Sequence, residues 1–177
     1  MPDGHAHAIR PATRDDVPAI LAIYNHAVLH TTATYDYEPR TLEQRLAWYE
    51  EHVRDGLPVF VAVDAAGIVA GWSSLSRYHA KPGYQFTAEN SVYVAEAHRG
   101  QGLGARLLAP LIEAAQRRGL RAIIAVIDSG NEASLRLHAR FGFEQVGYFR
   151  QIGYKFGRWL DVVYLERLLE PSASPAG

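Results

Sequence analysis

Between Ser91 and Leu108 an apolar, β-branched run passes through Arg99, Gly100, Gln101, Gly102, Leu103 and Gly104 straight into a segment of helical periodicity. A chain with this order folds locally as strand, glycine-rich turn, helix. The start of a helix carries unpaired N–H donors and the positive end of its macrodipole, and glycines let backbone close around a ligand. The unit is therefore suited to hold an anionic phosphate group with main-chain amides. It is not a Walker A loop, because the turn holds no lysine, serine or threonine. Nor is it a dinucleotide fingerprint, because Gly100, Gly102 and Gly104 read G-x-G-x-G rather than G-x-G-x-x-G.

The rest of the composition makes this recognition local. A net charge of -1 gives no general attraction to nucleic acid or to an anionic membrane. The absence of cysteine excludes disulfides, zinc–thiolate sites and an acyl-cysteine intermediate. At 177 residues, 48% hydrophobic and 21% charged, the chain suits one globular domain with a substantial core. The N-terminus shows no apolar signal core and no run reaches the length of a membrane span, so a cytoplasmic protein is expected.

Periodicity and punctuation give the elements. A strand near residues 8–11 precedes Thr13-Arg-Asp-Asp16, a capping box that opens a helix to about Val28. Residues 29–40 read as a loop with aromatic tips at Tyr35 and Tyr37. Thr41-Leu-Glu-Gln44 caps a second helix that ends near Gly56. Residues 59–64 and 68–76 read as a hairpin, and a strand over 85–94 feeds the glycine-rich turn.

Leu103, Leu107, Leu108, Leu111, Ile112 and Ala115 recur at helical spacing up to a stop at Gly119, with Pro110 predicting a kink. Residues 120–127 read as a strand buried on both faces, 131–141 as a helix, and 143–150 with 160–167 as closing strands. The expected fold is a single-domain α/β acyltransferase layout, a mixed and mostly antiparallel sheet flanked by helices. The domain is expected to span residues 8–169, with 170–177 a disordered tail.

Arg99-x-x-Gly102-x-Gly104 resembles the R/Q-x-x-G-x-G/A signature of the GCN5-related N-acetyltransferases (GNAT), which grips the pyrophosphate of acetyl-coenzyme A. Three further blocks agree: residues 9–16, the segment from Asn131 to Phe143, and Lys155-Phe-Gly-Arg-Trp-Leu-Asp-Val-Val163. The last, with Glu89-Asn-Ser-Val-Tyr-Val94, is similar to the phosphinothricin and methionine sulfoximine acetyltransferase branch. The likeness implies acetyl transfer from acetyl-coenzyme A to the α-amine of a small amino acid or analogue, in a homodimer.

The resemblance also implies roles. Glu89 becomes the candidate general base, because a mostly protonated amine must lose a proton before attacking a thioester; the plain alternative is a solvated strand glutamate. Val92, Tyr93 and Val94 would offer strand N–H and C=O groups to the pantetheine arm. Arg99, Gly100, Gln101, Gly102, Leu103, Gly104 and Ala105 would clasp the diphosphate. Asn131 would bond the cofactor arm or simply cap a helix.

His138 stands where many relatives carry a tyrosine; it is read as a cofactor contact, with an acid role secondary. Tyr35, Arg77, Tyr78, Lys81 and Tyr84 are the candidates for the acceptor's carboxylate and side chain. No metal site is expected: His26 and His30 share a helical face and His5 and His7 sit on an arm, without a third ligand. Other acceptors, a protein N-terminus or a polyamine, and a non-catalytic coenzyme A-binding module are the competing readings.

Overall fold

The computed structural model describes residues 7–170. His5 and the expected tail from Pro171 lie outside the described residues. Seven strands form one sheet in the order β1-β2-β3-β4-β5-β7-β6, with β1 Ala8–Pro11, β2 Val59–Val63, β3 Val69–Arg77, β4 Thr87–Val94, β5 Ala122–Asp128, β6 Glu144–Lys155 and β7 Arg158–Leu168. Every neighbouring pair is antiparallel except β4 and β5. Four α-helices, α1 Val17–His30, α2 Leu42–Asp55, α3 Leu103–Arg117 and α4 Glu132–Arg140, join the sheet, with three short 3-10 turns among the described residues.

The capping signals act where the sequence placed them. Thr13 N–H and Oγ1 both donate to Asp16 Oδ2, at 2.7 and 3.0 Å, and Arg10 clamps the same carboxylate with both Nη atoms. A single 3-10 turn, Arg14–Asp16, comes between this box and α1. Thr41 and Gln44 exchange the two bonds of a capping box, at 2.9 and 3.2 Å, and Gly56 closes α2 at φ 64°.

Helix α3 continues through Pro110 over Leu103–Arg117. Pro110 leaves the Arg106 carbonyl without its usual N–H partner, and the neighbouring Leu107 carbonyl accepts the Ser73 hydroxyl at 2.9 Å. The closing strands are longer than read. They run on to Lys155 and back from Arg158 through Phe156 and Gly157, both at positive φ (52° and 73°), which is the type I′ hairpin geometry that matches strand twist.

The main core lies between the sheet and α3, where Leu108, Leu111, Ile112 and Ala115 meet Leu75, Ile123 and Val163. On the opposite face α1 and α2 cover Val59, Val61 and Trp72. Gly71 permits the close approach of α3 to the sheet: a Cβ would stand 2.8 Å from the Tyr93 carbonyl and 3.0 Å from Leu107.

Two buried histidines belong to this frame. His52 is bonded through Nδ1 to the Trp48 carbonyl (2.8 Å) and through Nε2 to the Ser76 hydroxyl (3.0 Å), and His138 through Nδ1 to the Ser134 carbonyl (2.8 Å). Burial pushes both rings below their ordinary value of 6.5. The unfolded chain then binds more protons than the native one between the lowered values and about 6.5, so stability falls as pH drops through that window. Thermal melts at pH 7.5 and 5.5 should show a lower Tm at the acid pH, and a smaller drop in His52→Gln; an equal drop would remove His52 from the cause.

Candidate active site

The site follows from where two parallel strands part. Strands β4 and β5 are paired only from Thr87 to Glu89 against Ala122 to Ile124. Beyond that rung β4 pairs with β3 alone and β5 with β7 alone. The main chain of β4 from Asn90 onward therefore faces the gap with no strand partner on that side, and the Val94 carbonyl accepts from Arg99 Nε at 3.4 Å. A cleft of about 1150 Å3 occupies one mouth of the splay and a cavity of about 530 Å3 the other. Thr32, Ala33 and Tyr93 line both, so the two meet beside β4.

The larger cleft holds most of the residues assigned to the cofactor. Val92, Tyr93, Val94, Arg99, Gly100, Gly102, Leu103, Gly104, Ala105 and Asn131 all line it. Gly100 and Gly102 sit at φ 76° and 75°, a conformation glycine adopts without strain. The first bond of α3 runs from Arg106 N–H to Gly102 O, which leaves the N–H groups of Leu103, Gly104 and Ala105 to the cleft. Val92 and Val94 also pack on Leu103 and Leu107, which fixes β4 against the helix.

Two assigned residues fall elsewhere. Gln101 does not line the cleft, and its side chain donates to the Ala97 carbonyl at 3.5 Å. His138 is 3% exposed and does not line the cleft either. Its Nδ1–H goes to the Ser134 carbonyl and its Nε2 accepts from Asn90 Nδ2 at 2.9 Å, so the ring is neutral with its one N–H committed. This is a packed core histidine. Asn131 caps α4, its Oδ1 accepting from Ser134 N–H at 3.2 Å, while its Nδ2 stays unengaged at the cleft wall.

The smaller cavity contains Glu89. On β3 the residues Trp72, Ser74 and Ser76, and on β4 Tyr93, Ser91 and Glu89, are cross-strand pairs that all face it. The Glu89 carboxyl has no hydrogen bond or ion pair with any described residue, and burial alone pushes it above the ordinary carboxylate value. Tyr35 forms the opposite wall, where its hydroxyl donates to Asp128 Oδ2 at 2.8 Å and its ring lies against Gly153, which has no room for a Cβ. The loop carrying it is held by Lys155 Nζ on the carbonyls of Thr31 and Thr34, at 2.8 and 2.7 Å.

The other acceptor candidates are not gathered there. Arg77 is paired with Asp55 at 3.0 Å and, with Tyr78, lines a separate surface hollow. Lys81 precedes and Tyr84 ends a short 3-10 turn, Pro82–Tyr84, with Tyr84 packed on Tyr78 and His79, and neither lines the Glu89 cavity. Strand β4 accordingly begins at Thr87, two residues later than read.

Sequence reasoning missed the helical wall. Arg45 and Trp48, with Tyr24, Arg40 and Gln44, close the cavity from α1, α2 and the loop between them. The available signal was the spacing of Arg45, Trp48 and His52, which puts a lone arginine on the inward face of α2. His26 lines the cofactor cleft and pairs with Glu96 at 3.2 Å; among the described residues no cluster of three His, Asp or Glu gathers.

A cleft of main-chain donors at a helix start, joined to a cavity with a partnerless carboxyl, defines an acyl-transfer site. Comparison with known proteins gives the same class. Residues 20–143 match the model of the acetyltransferase (GNAT) family. The chain is 47% identical over 167 residues to an L-methionine sulfoximine/L-methionine sulfone acetyltransferase of Pseudomonas aeruginosa, covering 94% of this chain and 97% of that one. It is 42% identical to a phosphinothricin N-acetyltransferase of Streptomyces coelicolor, over 96% of this chain and all of that one. The structure superposes, with a TM-score of 0.93 and 43% identity, on a Salmonella typhimurium acetyltransferase solved with acetyl-CoA, covering 97% of this chain and 98% of that one. The chain belongs to the GNAT acetyltransferase family, and acetyl-coenzyme A is its cosubstrate.

Proposed function

We propose that the enzyme acetylates the α-amine of a small amino acid or analogue of the methionine sulfone, methionine sulfoximine and phosphinothricin type, by direct attack on acetyl-coenzyme A with Glu89 as general base. The observation that carries this is the Glu89 carboxyl, partnerless and half-buried in a cavity that opens beside the cofactor cleft. The substrates named for the similar proteins of Pseudomonas and Streptomyces support the acceptor class.

In this reading the cleft amides of residues 103–105 and Arg99 hold the diphosphate, and the open edge of β4 beyond Glu89 holds the arm as an added strand would be held. When bound, the cofactor supplies a thioester, whose carbonyl a β4 amide polarises. Glu89, its carboxyl raised by burial, takes the ammonium proton in its ionised form, directly or through one water, leaving the amine free to attack. His138 has no free N–H to give the departing sulfur, so the thiolate leaves unassisted by it.

Release of thiol from acetyl-coenzyme A with a panel of amino acids, peptides and polyamines tests the acceptor class. Methionine sulfone should be turned over and should outcompete peptides; silence across the amino acids, or preference for a peptide N-terminus, would reject it. The reading carries a cytoplasmic, homodimeric enzyme. The exposed Val146, Ile152, Phe156 and Trp159 of the β6–β7 hairpin are the surface we assign to the second copy. Light scattering at the monomer mass would dismiss that assignment.

A further inference from the structure

The cavity has two chemically opposite ends. Glu89 stands at one. At the other, Arg45 is 5% exposed, and its guanidinium lies 4.1 Å from the Tyr24 ring centre, 4.5 Å from Trp48 and 5.1 Å from Trp72. Its Nε and Nη2 have no hydrogen-bond partner, and neither has the indole N–H of Trp72, which is 2% exposed. Arg45 and Trp72 both line the cavity, and these three donor atoms are themselves sealed from solvent.

An aromatic enclosure offsets part of the cost of a buried cation but accepts none of its N–H bonds. Leaving such donors empty costs about 1–3 kcal/mol each, more for a charged group, and folded proteins seldom tolerate that without a use. Burial lowers Arg45 to about 10, so it remains a cation at neutral pH. The other arginine on the wall, Arg40, is committed to Asp36 through Nε and Nη2 at 2.9 and 2.7 Å. Asp128 is the other carboxylate of the lining, and it is occupied by Tyr35 and the Gly130 N–H.

Resting on the amino-acid reading above, we infer that Arg45 and the Trp72 indole N–H bind the oxygens of the acceptor's side-chain head group, and so select amino acids ending in a sulfonyl, sulfoximine or phosphinate group. Strand spacing favours the head group over the α-carboxylate. The Glu89–Ser76 rung and the Tyr93–Trp72 rung are four residues apart, about 13 Å along the strands. A carboxylate attached to the same carbon as the reacting amine cannot leave Glu89 and reach the far rung, whereas a side-chain terminus lies in that direction. The apolar stem between them would run over Ser74 and Ser91 towards the aromatic wall of Tyr24, Trp48 and Trp72.

The test is the ratio of kcat/KM for L-methionine sulfone to that for L-methionine, which keeps the carboxylate and loses the head oxygens. The wild-type enzyme should favour the sulfone. Arg45→Met should lower this ratio by about 10–100-fold, the loss of one or two hydrogen bonds to a charged donor, and the fall should appear in KM for the sulfone. Arg45→Lys should recover part of it, and Trp72→Phe, which keeps the ring and removes the N–H, should lower it by several fold. Failure of Arg45→Met to fold leaves Trp72→Phe as the deciding variant. An unchanged ratio in these variants, an equal loss for both amino acids, or a wild type without preference overturns the inference while leaving amino-acid acetylation intact. No turnover of any amino acid by the wild type would instead overturn the reading beneath it, and the inference with it.

Discussion

Glu89→Gln should lose kcat by about 10^2–10^4-fold, the range for removal of a positioned general base, while still binding acetyl-coenzyme A as the parent enzyme does. The amide keeps the shape of the side chain and removes only its ability to take a proton. Activity and stability should separate in this variant. A carboxyl whose folded value is raised binds its proton more tightly in the native state than in the unfolded chain, so ionised Glu89 costs the fold stability above the raised value. The variant should therefore melt at or above the parent temperature at neutral pH. In the parent, the acid limb of kcat/KM should fall at a pH above the ordinary 4.5 of a glutamate, and the residual rate of the variant should lack that limb. Retention of full kcat would assign the proton to another acceptor.

Gly102→Val should weaken acetyl-coenzyme A binding by at least about a hundredfold. Gly102 stands at φ 75° immediately before α3, where a β-branched residue is strained by about 1–2 kcal/mol. No atom within 4 Å opposes an added Cβ, so the domain has space to fold around it. Relief of the strain rotates the backbone and turns the N–H groups of Leu103 and Gly104 out of convergence. Two hydrogen bonds to a charged group carry about 1.5–3 kcal/mol each, which sets the size of the loss. Gly67→Val is the control: it imposes a similar strain at φ 81° in the turn between β2 and β3, away from the cleft. Calorimetry should find that it lowers Tm without changing Kd, and equal affinities for both variants would dissociate the turn from the cofactor.

These two effects rest on features that were readable along the chain. The glycine spacing, the capping boxes at Thr13 and Thr41 and the apolar stripe of α3 are local, so periodicity and turn chemistry reveal them directly. The β6–β7 hairpin was read short because Phe156-Gly157 carries only one glycine and its other positive φ falls on an aromatic residue. The acceptor wall was the least legible part. Arg45, Trp72 and Asp128 come from a helix and two strands far apart in sequence, and they meet only because β4 and β5 part after Glu89. Proximity in sequence drew attention to residues 77–84 instead, and Arg77 is bound to Asp55 outside that wall.

Locating L-methionine sulfone in a crystal of the enzyme with coenzyme A tests the central claim most directly. The account predicts the amino nitrogen within hydrogen-bond reach of Glu89, directly or through one water, with the coenzyme diphosphate on the amides of residues 103–105. An acceptor seated in the hollow beside Arg77, with Glu89 touching neither ligand nor bridging water, would contradict it.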